Sequence, residues 1–134
     1  MKRCAIYSRS SVDGVHGQIA FEVQETAGIE LCRKNGWKYE VFREPGMPGA
    51  VLRQLMGLVK TRKFNYVFVY KLDRLSQQFE QMAAVVGEIG RSGAVIATNR
   101  VNPGMEMFVV DLLGEFTSLI ADYCSRSAES SDSH

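Results

Sequence analysis

The chain has 134 residues, with 16 Lys and Arg against 15 Asp and Glu and a formal net charge of +1. With 46% hydrophobic and 23% charged residues it has the make-up of one ordinary folded domain, which excludes a disordered segment and an evenly basic nucleic-acid coat. No apolar run reaches the ~18–20 residues of a membrane span, and Met1 to Tyr7 turns polar too soon for a secretory signal, so a cytoplasmic protein with no membrane partner is expected.

Cys4-Ala5-Ile6-Tyr7 is a short apolar run that predicts a first strand, followed by a polar loop from Ser8 through about Gly17. From Ile19 to Asn35 the positions Ile19, Val23, Ala27 and Leu31 recur at helical spacing, and Gly36 suits the C-terminal cap. Trp37 to Phe42 alternates as a second strand should. Prolines and glycines between Glu44 and Gly49 then exclude regular structure there. Val51, Leu52, Leu55, Met56 and Val59 mark a second amphipathic helix ending near Arg62. Phe64 to Tyr70 is continuously apolar and β-prone, the pattern of a strand covered on both faces. A helix is expected from about Gln77 to Ser92, with Phe79, Met82, Val86 and Ile89 on one side, and a fourth strand over Ala94 to Thr98. Strands alternating with helices imply an α/β fold: a three-layer αβα arrangement around a mainly parallel sheet of four to five strands.

The last predicted element is a long helix between Gly104 and Arg126. At 1.5 Å rise per residue it would run roughly 33 Å, longer than a domain of this size needs, so part of its apolar stripe should overhang. Phe108, Leu112, Phe116, Leu119, Ile120 and Tyr123 are the expected dimer contacts on that stripe. Residues 1–126 thus read as one domain, and 127–134, which hold almost no apolar side chain, as a disordered tail.

Cys4, Cys32 and Cys124 stand singly, without the paired spacing of a disulfide framework or a zinc site, and His16 and His134 have no neighbouring ligand types. Neither a metal nor a cofactor is expected. In open α/β sheets ligands collect at the carboxyl ends of the strands. Two polar clusters fall there: Tyr7-Ser8-Arg9-Ser10-Ser11 after the first strand, and Lys71-Leu72-Asp73-Arg74-Leu75-Ser76 after the third. Guanidinium groups suit phosphate oxygens, and a serine beside them has what attack on a phosphodiester requires. No phosphate-binding glycine motif of the GxxxxGK[ST] or GxGxxG kind is present. On spacing alone, a solvated loop or a generic anion site fits these clusters equally well.

At these two clusters the sequence resembles the catalytic domain of the serine recombinases, the family of resolvases, invertases and large phage integrases. Tyr7, Arg9 and Ser11 match its Y-x-R-x-S motif, and Lys71 through Ser76 match K-L-D-R-L-S. A helical glutamine, an acidic residue after the second strand and a glycine-containing loop look like Gln24, Glu44 and Gly46 to Gly49. The resemblance implies that Ser11 attacks a phosphate of double-stranded DNA, that Arg9 and Arg74 stabilise the pentavalent phosphorus, and that Asp73 moves a proton or orients Arg74. Tyr7, Gln24, Glu44, Lys71 and Ser76 would support the site. It implies a homodimer that becomes a tetramer when active, and no metal or cofactor.

The chain departs from the family pattern at several places. Gln77 stands where the second motif ends in arginine. Counting back from Lys63-Phe64, the arginine before the second helix falls on Gly49, and Ile120-Ala121 replaces a Glu-Arg pair. Losing one preorganised charge donor costs ~10²–10³ in rate. A catalytically weakened dimeric accessory or regulatory protein of DNA recombination is therefore the alternative reading, and a phosphometabolite-binding αβα domain is a further one.

Overall fold

The computed structural model describes residues 1–76 and 78–99. Four strands, β1 (Arg3–Ser10), β2 (Lys38–Pro45), β3 (Tyr66–Val69) and β4 (Val95–Thr98), form one sheet in the order β2-β1-β3-β4. Every pair is parallel. Three helices connect them: α1 (Gly14–Asn35), α2 (Ala50–Lys60) and α3 (Phe79–Arg91), with a 3₁₀ turn over Leu72–Arg74. Residues 100–134, with the predicted long helix and its dimer contacts, and Gln77 lie outside the described residues.

The strand order fixes the layers. Passing from β1 to β2 runs one way along the sheet, whereas β2 to β3 and β3 to β4 run the other way. Right-handed crossovers then put α1 on one face and α2 and α3 on the opposite face. The side chains agree. Leu52, Leu55, Met56 and Val59 of α2 and Met82 and Ile89 of α3 join Ala5, Tyr7, Val67 and Val69 in one buried cluster. Cys32 of α1 joins Cys4, Ile6, Phe68 and Ala97 in the other. Being central, β1 is buried over seven consecutive residues from Cys4 to Ser10.

Three boundaries differ from the sequence reading. The first strand continues through Ser8-Arg9-Ser10, predicted as loop, because those residues pair with β2 in the register Ser8↔Arg43, Arg9↔Glu44 and Ser10↔Pro45. The helix that follows begins at Gly14 rather than near Ile19, which leaves only Ser11 to Asp13 as the connecting turn. Strand β2 runs correspondingly further, to Pro45. A proline is tolerated there because the strand lies at the edge of the described sheet.

The apolar stripe assigned to α1 is also corrected. Its buried positions are Gly17, Phe21, Gln24, Gly28 and Cys32, whereas Ile19 and Val23 are exposed. Ala27 and Leu31 only flank the core. The reason is proximity: a Cβ at Gly28 would lie 2.7 Å from a ring carbon of Phe68 and 2.9 Å from Cγ2 of Ile6. At Gly28 the helix lies so close over β1 and β3 that the sheet supplies the apolar bulk and the helix has no side chain. At the far end Gly36 takes the left-handed conformation (φ 73°) and its N–H donates to the Arg33 carbonyl, closing α1 as predicted.

Gly28→Ala tests this packing because two effects oppose each other. In an open helix the change stabilises by about 1 kcal/mol; here the added methyl must displace Phe68 and Ile6, and overpacking costs about 1–3 kcal/mol. Urea unfolding should show a lower midpoint for the variant.

Candidate active site

The sheet order reverses between β1 and β3, and at this switch point an α/β fold opens a crevice at the strand carboxyl ends. Both polar clusters of the sequence meet there. Arg9, the next-to-last residue of β1, is only 2% exposed despite its charge. Its Nε donates to the Arg74 carbonyl at 2.9 Å, Nη1 to the Gly46 carbonyl at 3.0 Å and Nη2 to the Asp73 carbonyl at 3.3 Å. One guanidinium thus ties the loop after β2 to the turn after β3. Among the described residues no carboxylate forms an ion pair with it.

The backbone of Arg9 is held as firmly as its side chain. Gln24 of α1 accepts from the Arg9 N–H at 3.1 Å through Oε1 and donates to the Arg9 carbonyl at 2.8 Å through Nε2. The amide so satisfies both groups of a buried residue at the strand end.

Glu44, opposite Arg9 on β2, is buried too and serves the neighbouring helix. Its carboxylate accepts from the N–H of Gly49 at 2.9 Å, Val51 at 2.9 Å and Leu52 at 3.1 Å, at the open end of α2. It also accepts from the Tyr7 hydroxyl at 2.7 Å. Burial pushes the Glu44 carboxyl up, but the Tyr7 hydroxyl and the three N–H donors outweigh it and hold it below the ordinary carboxylate range. Burial, reinforced by the Glu44 charge, raises the Tyr7 phenol above its ordinary value. Tyr7 is fully buried and also positions Glu44.

The turn after β3 presents the remaining candidates. The Asp73 side chain is 62% exposed, and its Oδ1 lies 3.8 Å from Nε of Arg74. That Nε is buried and has no hydrogen-bond partner among the described residues. Lys71 is exposed. Ser76 is buried; its hydroxyl donates to Gln81 at 3.1 Å and accepts from the Gln78 N–H at 3.1 Å, shaping the entry to α3.

Ser11 stands one residue beyond β1, exposed, in the turn before α1. The structure brings Tyr7, Arg9, Gln24, Glu44, Asp73 and Arg74 into one connected set. It does not join the Ser11 hydroxyl to that set by any hydrogen bond. Of its neighbours, Ser8 donates to Glu25 at 2.7 Å, and Ser10 accepts from the Val12 N–H at 3.2 Å. Glu25 in turn holds Arg43 in a two-pronged ion pair at 2.7 and 2.8 Å. Sequence reading missed this pair, since Arg43 and Glu25 lie on different elements with no motif to link them. In the basic stretch near the end of α2, Lys60 pairs with Glu88 and Lys63 with Glu40. Among the described residues no group of three His, Cys, Asp or Glu side chains is placed to hold a metal ion, and no helix is long and apolar enough to cross a membrane.

Solved structures share this fold. The N-terminal catalytic domain of TP901-1 integrase superposes with a TM-score of 0.73 at 21% identity, covering 96% of this chain and 99% of that one. A resolvase family site-specific recombinase from Streptococcus pneumoniae gives a TM-score of 0.64 at 14% identity, over 98% of this chain and 95% of the other. The C-terminal catalytic domain of ISC1926 TnpA, an IS607-like serine recombinase, gives 0.65 at 19%, over 92% and 84%. No curated protein matches the sequence. The fold is therefore the resolvase-like αβα fold of serine recombinase catalytic domains. The model of the resolvase N-terminal domain matches residues 4–129, nearly the whole length, and the chain belongs to that family.

The Glu44 cap makes stability depend on pH in a definite direction. A carboxyl held below its unfolded value of roughly 4.3 stabilises the fold above that pH. The contribution fades as pH falls through the lower native value. Urea midpoints measured from pH 7 down to pH 3 should drop in the wild type, and Glu44→Gln should lower the neutral value and flatten the slope.

Proposed function

We propose that the chain is a catalytic domain that cleaves and rejoins double-stranded DNA through a phosphoserine intermediate at Ser11. The observation that supports this best is the Arg9 guanidinium: buried, permanently charged, and without a carboxylate partner among the described residues. A buried charge met only by carbonyl dipoles favours the arrival of an anion. Three of the five N–H donors of an arginine are engaged here, which leaves two for phosphate oxygens. The solved structures of similar fold are described as integrase and recombinase domains, which supports DNA as the substrate.

In this reading the Ser11 Oγ loses its proton and bonds to phosphorus while the bond from phosphorus to the 3′-oxygen breaks. The 3′-oxygen takes up a proton and leaves as a hydroxyl. Negative charge grows on the phosphoryl oxygens, and Arg9 and Arg74, whose Nε has no hydrogen-bond partner among the described residues, stabilise it. Asp73 orients Arg74 or accepts the proton. Tyr7, Gln24 and Glu44 hold Arg9 and α2 in place, Ser76 shapes the turn, and Lys71 adds charge beside the DNA. Rejoining reverses the steps with a new 3′-hydroxyl, so neither metal nor cofactor is assigned. Residues 1–126 act as the domain, dimerise through the stripe from Phe108 to Tyr123, and form a tetramer on two DNA sites.

A second reading, a weakened dimeric accessory protein, is favoured by one observation. At Gly49, where the family carries arginine, there is no side chain, and the N–H groups of that helix end already serve Glu44.

A DNA duplex nicked to trap cleavage separates the two. Wild type should give a denaturant-resistant protein–DNA adduct that Ser11→Ala abolishes. Arg74→Lys should slow its formation by ~10²–10³, and Gln77→Arg should speed it. A protein that dimerises but yields no adduct, even with Gln77→Arg, is the accessory protein.

A further inference from the structure

Cys4 and Cys32 stand apart in the sequence but meet in the fold. Cys4 opens the buried stretch of β1, Cys32 lies in the last turn of α1, and both are fully buried. They belong to one cluster with Ile6, Phe68 and Ala97. Helix and strand run in opposite directions, as successive contacts show. Gln24 holds Arg9, Gly28 lies against Ile6, and Cys32 reaches Cys4. Four helical residues rise ~6 Å and two strand residues ~6.6 Å, so these contacts stay roughly in step. The missing side chain at residue 28 permits the close approach that a disulfide needs, with Cα atoms about 4.4–6.8 Å apart. The hydrogen bond between the two thiols, reinforced by burial, pushes Cys4 above the ordinary thiol range. The same bond draws Cys32 below that range, against the effect of burial.

We propose that Cys4 and Cys32 are an oxidisable dithiol, which a peroxide closes into a disulfide between β1 and α1. Cys32 reacts first, because the thiolate is the nucleophile and Cys32 is the thiol favoured to ionise. Its sulfur bonds to one peroxide oxygen while the O–O bond breaks, giving a sulfenic acid. The other oxygen leaves as hydroxide and takes up the thiol proton. The Cys4 sulfur then bonds to the Cys32 sulfur as the S–O bond breaks. The departing hydroxyl takes the Cys4 proton and leaves as water. Two thiols thus lose two electrons and two protons, and one peroxide becomes two waters. The place of the pair gives the oxidant a route, since a helix end opens more readily than its middle. Trp37, which packs against the cluster there, is itself only half-buried. Its N–H donates to the Cys32 carbonyl at 2.9 Å and its ring stacks on Tyr66 at 3.8 Å. The disulfide closes a loop that contains Arg9, Ser11 and Gln24, and added thiol reopens it. It fixes α1 to β1 covalently at one end, as Gln24 fixes it by hydrogen bonds further along. The pair is independent of the chemistry assigned to Ser11.

The test treats the reduced full chain with hydrogen peroxide, alkylates the remaining thiols and digests with trypsin in the absence of reductant. Cleavage after Arg3, Arg9 and Arg33 puts Cys4 and Cys32 on separate peptides, 4–9 and 10–33. The two should be recovered as one species, lighter by two hydrogens than their sum, which dithiothreitol separates. The intact mass should stay that of one copy. A disulfide to Cys124, a link between two copies, oxidation that stops at sulfinic acid, or thiols still open to alkylation after peroxide each overturn the proposal. Urea unfolding gives a second readout. Oxidised wild type should have a higher midpoint than its own reduced form, because the link constrains the unfolded chain. Cys32→Ala should abolish that difference. Each protein is compared with its own reduced form, so any stability lost to the substitution itself drops out. An oxidised wild type no more stable than the reduced form also overturns the proposal.

Discussion

The buried guanidinium of Arg9 holds the carboxyl end of the sheet together. It sits on the central strand, and only a central position reaches the loops on both sides. Its three carbonyl partners, Gly46, Asp73 and Arg74, belong to two different crossovers. Had the side chain been lysine, its single ammonium could not span three acceptors fixed in this way. Any motion of the turn after β3 is therefore felt in the loop after β2, through one planar group.

Arg9 and Glu44 face each other in the β1–β2 register, both buried and opposite in charge. They make no ion pair with one another. Each is solvated instead by backbone dipoles of the sign it needs: carbonyls around the arginine, N–H groups around the glutamate. Dipoles compensate a buried charge without neutralising it, so the two side chains keep separate tasks. Glu44 consumes the anion-attracting end of α2, where an incoming phosphate would otherwise find donors. The positive potential of the crevice is left to Arg9 and Arg74.

Much of this was legible in the sequence. Strand and helix order followed from hydrophobic period and from glycine and proline punctuation. The two polar clusters stood out because each follows a strand. The inward face of α1 was not legible, because periodicity counts apolar side chains and, apart from Phe21, this helix faces the sheet with two glycines, a glutamine and a cysteine. Gln24 illustrates the gap. Its place came from a resemblance, while its work, satisfying the backbone of a residue fifteen positions away, depends on a meeting of helix and strand that no local pattern encodes. The three N–H donors on Glu44 escaped for a related reason: a helix start is ordinarily read from the residue just before it, and here the cap comes from the preceding strand. The failure to bond Ser11 into the set was not legible either, since spacing places a residue in a loop without saying where its hydroxyl points.

Strand β2 bounds the described sheet on one side, and charged residues alternate there with the exposed Tyr39 and Val41. Lys38, Glu40 and Arg43 are exposed along it, and Pro45 ends it without an N–H to offer. An extended peptide pairing along this margin would have to strip water from three ionic groups and would find no donor at the last position. The molecule is in this way guarded against runaway cross-strand polymerisation along this margin.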